Sequence, residues 1–312
     1  MVVSGCGKQN EAGNSASKPE ENKINFPEKR IQLIVPFAAG GGTDAVARAL
    51  ASTTEKYLEK PIVIINKAGG SGAVGMTEGS KAKPDGYTVT MITREIVSLP
   101  LMDLCSVTTD DFDLLANINL DPALITVKPD SKYQNISELI EDSKKNPTKI
   151  KFASPAKPNL YILAIELAEK VKFNHIPYNG AAEAIPAIMG GHADFTITSP
   201  GEVISQINSG QLRPLAVMAD EQLASLPDVP TMKEEGFDVT SGTWRGLAVP
   251  KGTPQEVKDI LAKAFKQDKQ FIDFMNNANL GIHYLDADGF RSFIEEDTVM
   301  VSKIVEAVEK QQ

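Results

Sequence analysis

The strongest constraint on this chain is a repeating grammar: a short apolar run, a turn rich in glycine or proline, then a stretch with helical periodicity. Apolar runs at residues 31–35, 62–65 and 87–92 alternate with helical patterns at 45–58 and 73–82. Gly40-Gly41-Gly42-Thr43-Asp44 introduces the first helix and Gly69-Gly70-Ser71-Gly72 the second, while Pro84-Asp85-Gly86 reads as a turn. Apolar strands with helices between them predict an α/β chain whose mostly parallel sheets are covered on both faces. The later part repeats the pattern, with strands at 123–127, 150–153, 195–198 and 212–218 and helices at 137–143, 160–170, 181–189 and 203–209. Residues 247–250 read as a strand returning to the first lobe, followed by amphipathic helices near 254–268, 269–277 and 287–311.

A length of 312 residues favours two domains. Crossings near 118–124 and 243–249 would form a hinge, with a cleft between a first lobe of residues 26–120 and 247–312 and a second of residues 121–246. The charge balance, 41 acidic against 32 basic residues, argues against nucleic acid, which needs clustered Lys and Arg. No apolar run reaches the roughly 18–20 residues of a membrane-spanning helix, so membrane attachment would be covalent or through partners.

The N-terminus suggests covalent attachment. Small residues precede Cys6 and a polar stretch follows it, which resembles the end of a bacterial lipoprotein signal peptide with Cys6 as the acylated residue. The basic and long apolar parts of such a signal are missing, so Met1 reads as an added start on a shortened, soluble chain. Residues 1–25 read as a disordered tether; the alternative is an ordinary cysteine in a floppy tail. Cys105 is the only other cysteine, which leaves no disulfide framework or metal-ligand set.

Unpaired N–H groups and a partial positive charge at a helix N-terminus can hold an anionic oxygen without a cationic side chain. Four glycine- or serine-led openings occur, at residues 40–44, 69–75, 179–182 and 199–202. Singly, such turns serve chain reversal. Two in each half, at the carboxyl ends of strands, point to an anion-binding cleft. Asp44 reads as a helix cap. A competing reading takes Gly70-Ser71-Gly72-Ala73-Val74-Gly75 as a dinucleotide fingerprint, with Glu95 about 20 residues on as the ribose acid, and predicts a nicotinamide or flavin enzyme. Against it, Asn66-Lys67-Ala68 separate the loop from its strand and the following helix is short. His175, His192 and His283 are scattered, and no nucleophile–base pair or metal motif stands out, so neither catalysis nor a cofactor is expected.

The segments from Phe26-Pro27-Glu28-Lys29 through Asp44, Asn66 to Gly72, Lys83 to Tyr87, Ile176-Pro177-Tyr178-Asn179-Gly180, Gly190-Gly191-His192-Ala193-Asp194, Leu226 to Thr231 and Trp244-Arg245-Gly246-Leu247 resemble the substrate-binding proteins of tripartite tricarboxylate transporters, the Bug family. The likeness covers essentially everything after residue 25. It implies a type II periplasmic-binding fold: two lobes with mostly parallel sheets, joined by a two-crossing hinge, closing on organic or amino acids for a membrane permease. With the N-terminal reading, the expectation is an extracytoplasmic monomer, lipid-anchored at Cys6 and without cofactor.

Carried onto this chain, the family's carboxylate-holding loops are Phe37, Ala39, Gly40, Gly41 and Asp44, and Ala68, Gly69, Gly70, Ser71 and Gly72. The second lobe would add Ser154, Tyr178, Asn179, Gly180 and Ser199. Where the family has small hydroxyl residues after the third strand, Thr93 is followed by Arg94 and Glu95. A cleft-facing Arg94 would clamp a second carboxylate and Glu95 would receive an ammonium, which favours a dicarboxylate or an amino acid; otherwise the two form a solvated surface pair. A sensory solute-binding lipoprotein is the remaining alternative.

Overall fold

The computed structural model describes residues 1–3, 5, 24–157, 159–266 and 268–309. Cys6 and most of the expected tether lie outside these residues. The elements run in chain order β1 (Ile31–Val35), α1 (Gly42–Leu58), β2 (Ile62–Asn66), α2 (Ala73–Ser80), β3 (Thr88–Thr93), α3 (Glu95–Leu101), β4 (Phe112–Val127), α4 (Ile136–Lys145), β5 (Lys151–Ser154) and α5 (Leu160–Glu169). There follow β6 (Asn174–Pro177), α6 (Ala181–Met189), β7 (Phe195–Thr198), α7 (Pro200–Asn208), β8 (Arg213–Met218), β9 (Gly242–Pro250), α8 (Gln255–Ala264), α9 (Lys269–Asn277), β10 (Leu285–Asp286) and α10 (Ala287–Glu309). Side-chain caps start several helices where sequence logic wants them: Asn135 on α4, Asn159 on α5 and Asp268 on α9 each accept backbone N–H bonds of the first turn.

The strands form two sheets that share β4. In the first, β1 pairs in parallel with β2 and β3, and β9 lies antiparallel between β3 and β4. In the second, β5 pairs in parallel with β6 and β7, while β4 pairs antiparallel with β7 and β8. The outer parts are therefore parallel, as expected. The junction is not: β4, β8, β9 and β10 all pair antiparallel, because the chain crosses and returns by neighbouring strands. β4 changes sheets between Pro122, the last residue registered with β9, and Ala123, the first registered with β8. β9 is longer than the 247–250 run predicted, and Trp244 and Arg245 already pair with the first-sheet part of β4.

Each sheet has its own apolar core. Leu33, Leu50, Leu247, Phe265 and Phe271 pack between the first sheet and α1, α8 and α9. Phe152, Phe173 and Phe195 cluster in the second, with ring centroids 5.0 Å and 4.9 Å apart in tilted and edge-on pairs. A third core surrounds Trp244 and Phe290, whose rings meet edge-on at 5.3 Å, and takes in Leu160 of α5 as well as Val301 and Val305 of α10. Trp244 is thus a packing residue, and its indole N–H donates to Asp297 at 2.8 Å.

Gly246 is where β9 must come closest to this core. A β-carbon there would lie 2.2 Å from the Phe290 ring and 3.0 Å from the Ala116 carbonyl oxygen. Gly246→Ala is expected to destabilise the fold by about 1–3 kcal/mol through overpacking, readable as a lower urea midpoint at unchanged slope.

Candidate functional site

Above the paired strands β4 and β9, the loops at the carboxyl ends of β1, β3, β5, β6 and β7 face one another across a narrow cleft. One wall comes from the first sheet: Phe37, Gly41, Gly42 and Thr43 at the start of α1, and Thr93 and Glu95 after β3. The other comes from the second sheet: Asn159 and Tyr161 at α5, Gly180 and Ala181 at α6, and Thr198, Ser199 and Glu202 leading into α7. Thr243 and Arg245 of β9 lie between them.

Arg245 organises the floor. Its Nε donates to Thr43 Oγ1 at 3.0 Å, Nη1 to Asn119 and Asp121 of β4, and Nη2 to Ser199 Oγ at 3.3 Å. One buried guanidinium thus ties the start of α1, both crossing strands and the second sheet. Burial alone would lower its pKa; the Asp121 and Glu202 carboxylates outweigh that and raise it.

Glu202 spans the cleft. Its Oε2 accepts the Ser199 N–H at 2.8 Å, closing a capping box at the start of α7. Its Oε1 accepts the Gly42 N–H, also at 2.8 Å, at the N-terminus of α1 on the opposite wall. A β-carbon on Gly42 would lie 2.8 Å from Oε1 and 2.9 Å from Arg245 Nη2, so a side chain here would push both groups aside. A second bridge closes the rim, where Ser71 Oγ meets the backbone N–H and carbonyl of Lys157 at 2.6 and 2.9 Å. The two walls are therefore in contact.

Glu95 accepts the Thr93 hydroxyl at 2.6 Å and has no ion-pair partner among the described residues. Burial pushes its pKa up, against the opposing pull of that hydrogen bond and of Arg245 and Arg94. Thr198 Oγ1 is buried on the cleft wall without a hydrogen-bond partner among the described residues. Burial also holds the Tyr161 phenol above its ordinary value, with Glu95 adding to the effect.

Of the residues nominated from sequence, Phe37, Gly41, Thr93, Gly180 and Ser199 line the cleft. Others stand behind it. Asp44 accepts from Gly40 N–H, Arg48 and Asn66, which folds the first loop back on itself and leaves Gly40 and Ala39 on the outer side. Ser154 donates to the Ala156 carbonyl and shapes its loop, Tyr178 packs against an apolar cluster that includes Leu124, Ile185 and Val203, and exposed Asn179 bonds Glu183. The second glycine loop, Ala68, Gly69, Gly70, Ser71 and Gly72, does not line the cleft; only Ser71 reaches across its rim. Just beyond the loop, Gly75 lets α2 pack closely, because a β-carbon there would strike Pro36 at 2.7 Å and the Lys67 carbonyl at 2.9 Å.

The expected Arg94 clamp is overturned. Arg94 is 5% exposed and turned to the far side of the strands, where Nε and Nη2 grip Asp297 of α10 at 3.0 and 2.6 Å and Nη1 donates to Ser241 and the Gly242 carbonyl. Nor is it a solvated surface partner of Glu95. Sequence reasoning missed Arg245, Glu202, Tyr161 and Thr198. A lone cation inside the apolar run 244–250 was the available signal for Arg245, and Glu202 was legible only as a capping-box residue.

A family model described as the tripartite tricarboxylate transporter family receptor matches residues 46–309. The UPF0065 protein in the gbd 5' region of Cupriavidus necator is 29% identical over 301 residues, covering 94% of this chain and 92% of its own length. A TctC solute-binding protein from Polaromonas, solved without ligand, is 34% identical with a TM-score of 0.66, covering 90% of this chain and 99% of its own. MatC from Rhodopseudomonas palustris, solved with bound malate, is 23% identical with a TM-score of 0.84 over 90% of this chain and all of its own, which speaks to the shared fold. The two-lobed α/β architecture is that of periplasmic binding proteins, and the family's members are solute-binding receptors rather than enzymes, which removes the dinucleotide reading. On the family match and the shared architecture together, the chain belongs to the tripartite tricarboxylate transporter receptor family.

Proposed function

We propose that this receptor works outside the cytoplasm, closes its lobes on a small carboxylate that also carries an ammonium group, and presents the closed form to membrane permease subunits. In this reading the first lobe is residues 26–120 and 247–312 and the second residues 121–246, Cys6 carries a lipid anchor, and an amino acid is preferred to a dicarboxylate. Backbone N–H groups at the start of α1, with Arg245 beside them, suit one carboxylate. The observation that carries the preference is Glu95: a carboxylate without an ion-pair partner among the described residues, in a cleft whose arginine is already matched by Asp121. A second ligand carboxylate would meet repulsion there, and an ammonium would meet attraction.

The test is a thermal-shift and calorimetric comparison of L-alanine, L-glutamate and succinate, repeated across pH. Binding an ammonium favours ionised Glu95, whose pKa is raised in the free protein. Amino-acid affinity is therefore expected to fall as pH drops through that raised value, with a proton released on binding. A dicarboxylate would behave oppositely and gain affinity as Glu95 protonates. Tight succinate binding that strengthens toward low pH, with no response to either amino acid, would reverse the assignment.

A further inference from the structure

The geometry points to Glu202 as a built-in competitor of the ligand: its carboxylate holds the ligand-free cleft shut, and an incoming carboxylate must displace it from Gly42. This deepens the proposed function and rests on its placement of a carboxylate at the start of α1. Glu202 belongs to the second lobe, yet Oε1 accepts the α1 N–H of Gly42 at 2.8 Å in the electrostatic field of Arg245. It stands in chemically for the group a ligand would bring: two oxygens, one negative charge, aimed at a helix N-terminus.

An independent observation marks the adjacent space as a ligand's. Thr198 lines the cleft, is 2% exposed, and has a buried Oγ1 without a partner among the described residues. A buried hydroxyl left unpaired is costly. Glu202, four residues further on, serves the two backbone amides and leaves that hydroxyl unanswered. A free ligand carboxylate can bond Gly42 and Thr198 together. Glu202 is only partly buried, so it has a path outward, pivoting about its bond to Ser199.

A competitor of this kind is a selectivity filter. The apparent dissociation constant is divided by the fraction of molecules with the latch released, a common factor that leaves weakly held anions unbound at concentrations where ligands with further contacts still bind. Two variants separate the parts. Glu202→Gln removes the charge and keeps one acceptor oxygen, enough for one of the two amides; Glu202→Ala removes the bridge as well as a helix cap.

Small-angle scattering of ligand-free protein is expected to show a larger radius of gyration for Glu202→Ala than for wild type, with unchanged far-ultraviolet circular dichroism. Calorimetric titration with L-alanine, L-glutamate and succinate is expected to show roughly tenfold tighter binding by Glu202→Gln of whichever probe wild type takes. Identical scattering for wild type and Glu202→Ala overturns the latch, and equal or weaker binding by Glu202→Gln overturns the competition. Expansion of Glu202→Ala with no probe bound by any form upholds the latch and removes the carboxylate reading instead.

Discussion

Arg245→Ala is expected to lower the unfolding free energy by about 3–5 kcal/mol and to abolish ligand capture, because it leaves the Asp121 carboxylate buried without its cation. The side chains of the pair are 3% and 1% exposed, so solvent cannot replace the missing partner. Asn119, Thr43 and Ser199 lose a donor in the same step. Removing both charges is the instructive control. Arg245→Met with Asp121→Leu should recover much of the lost stability, since an apolar pair of similar volume is often as stable as the ion pair it replaces. Capture should stay absent in the double variant, because the floor of the cleft no longer offers a cation. Urea denaturation and calorimetry of both variants check the two halves separately; full capture by the double variant would remove Arg245 from the binding argument.

Arg94→Ala should cost a similar amount, about 3–5 kcal/mol, with a different functional signature. Its ion pair with Asp297 is 6% and 7% exposed and fastens α10 to the start of α3, on the side of the strands away from the cleft. At a temperature well below the lowered midpoint, the ratio of affinities for amino acid and dicarboxylate probes should equal that of wild type. A selective loss of dicarboxylate binding would return Arg94 to the role sequence suggested. The two arginines are thus distinguished by what each does to ligand preference rather than by what each does to stability.

The βα units around β1, β2 and β3 were legible because local periodicity decides them: apolar strands need two covered faces, and glycine-led turns need their backbone freedom. The crossing strand was not. Within β4, Asn117, Asn119 and Asp121 recur at every second position and Pro122 follows, which locally reads as a turn. They are buried because distant segments complete their bonds. Asn117 meets His283, Asn119 meets the Gly281 carbonyl, and Asp121 accepts from Gly281 N–H and Arg245. No window of sequence contains those partners. The same holds for the adjacent charges Arg94 and Glu95, whose opposite fates are set by α10 on one side and the cleft on the other. A resemblance to a family transfers loop positions well, but it does not reveal which of this chain's own side chains fill the space between them.

The C-terminal helix adds a mechanical consequence. α10 packs against α3, which belongs with the first sheet, and against α5, which belongs with the second. A rod seated on both bodies behind the crossing strands resists a wide gape, since separating the front would grind Leu160 across Val301 and Val305. If the lobes open as proposed, the cheaper excursion is a sideways swivel in which α5 slides along the rod while the greased contact stays sealed. Uncovering the mouth would then look less like a jaw dropping than like a lens cap being turned aside.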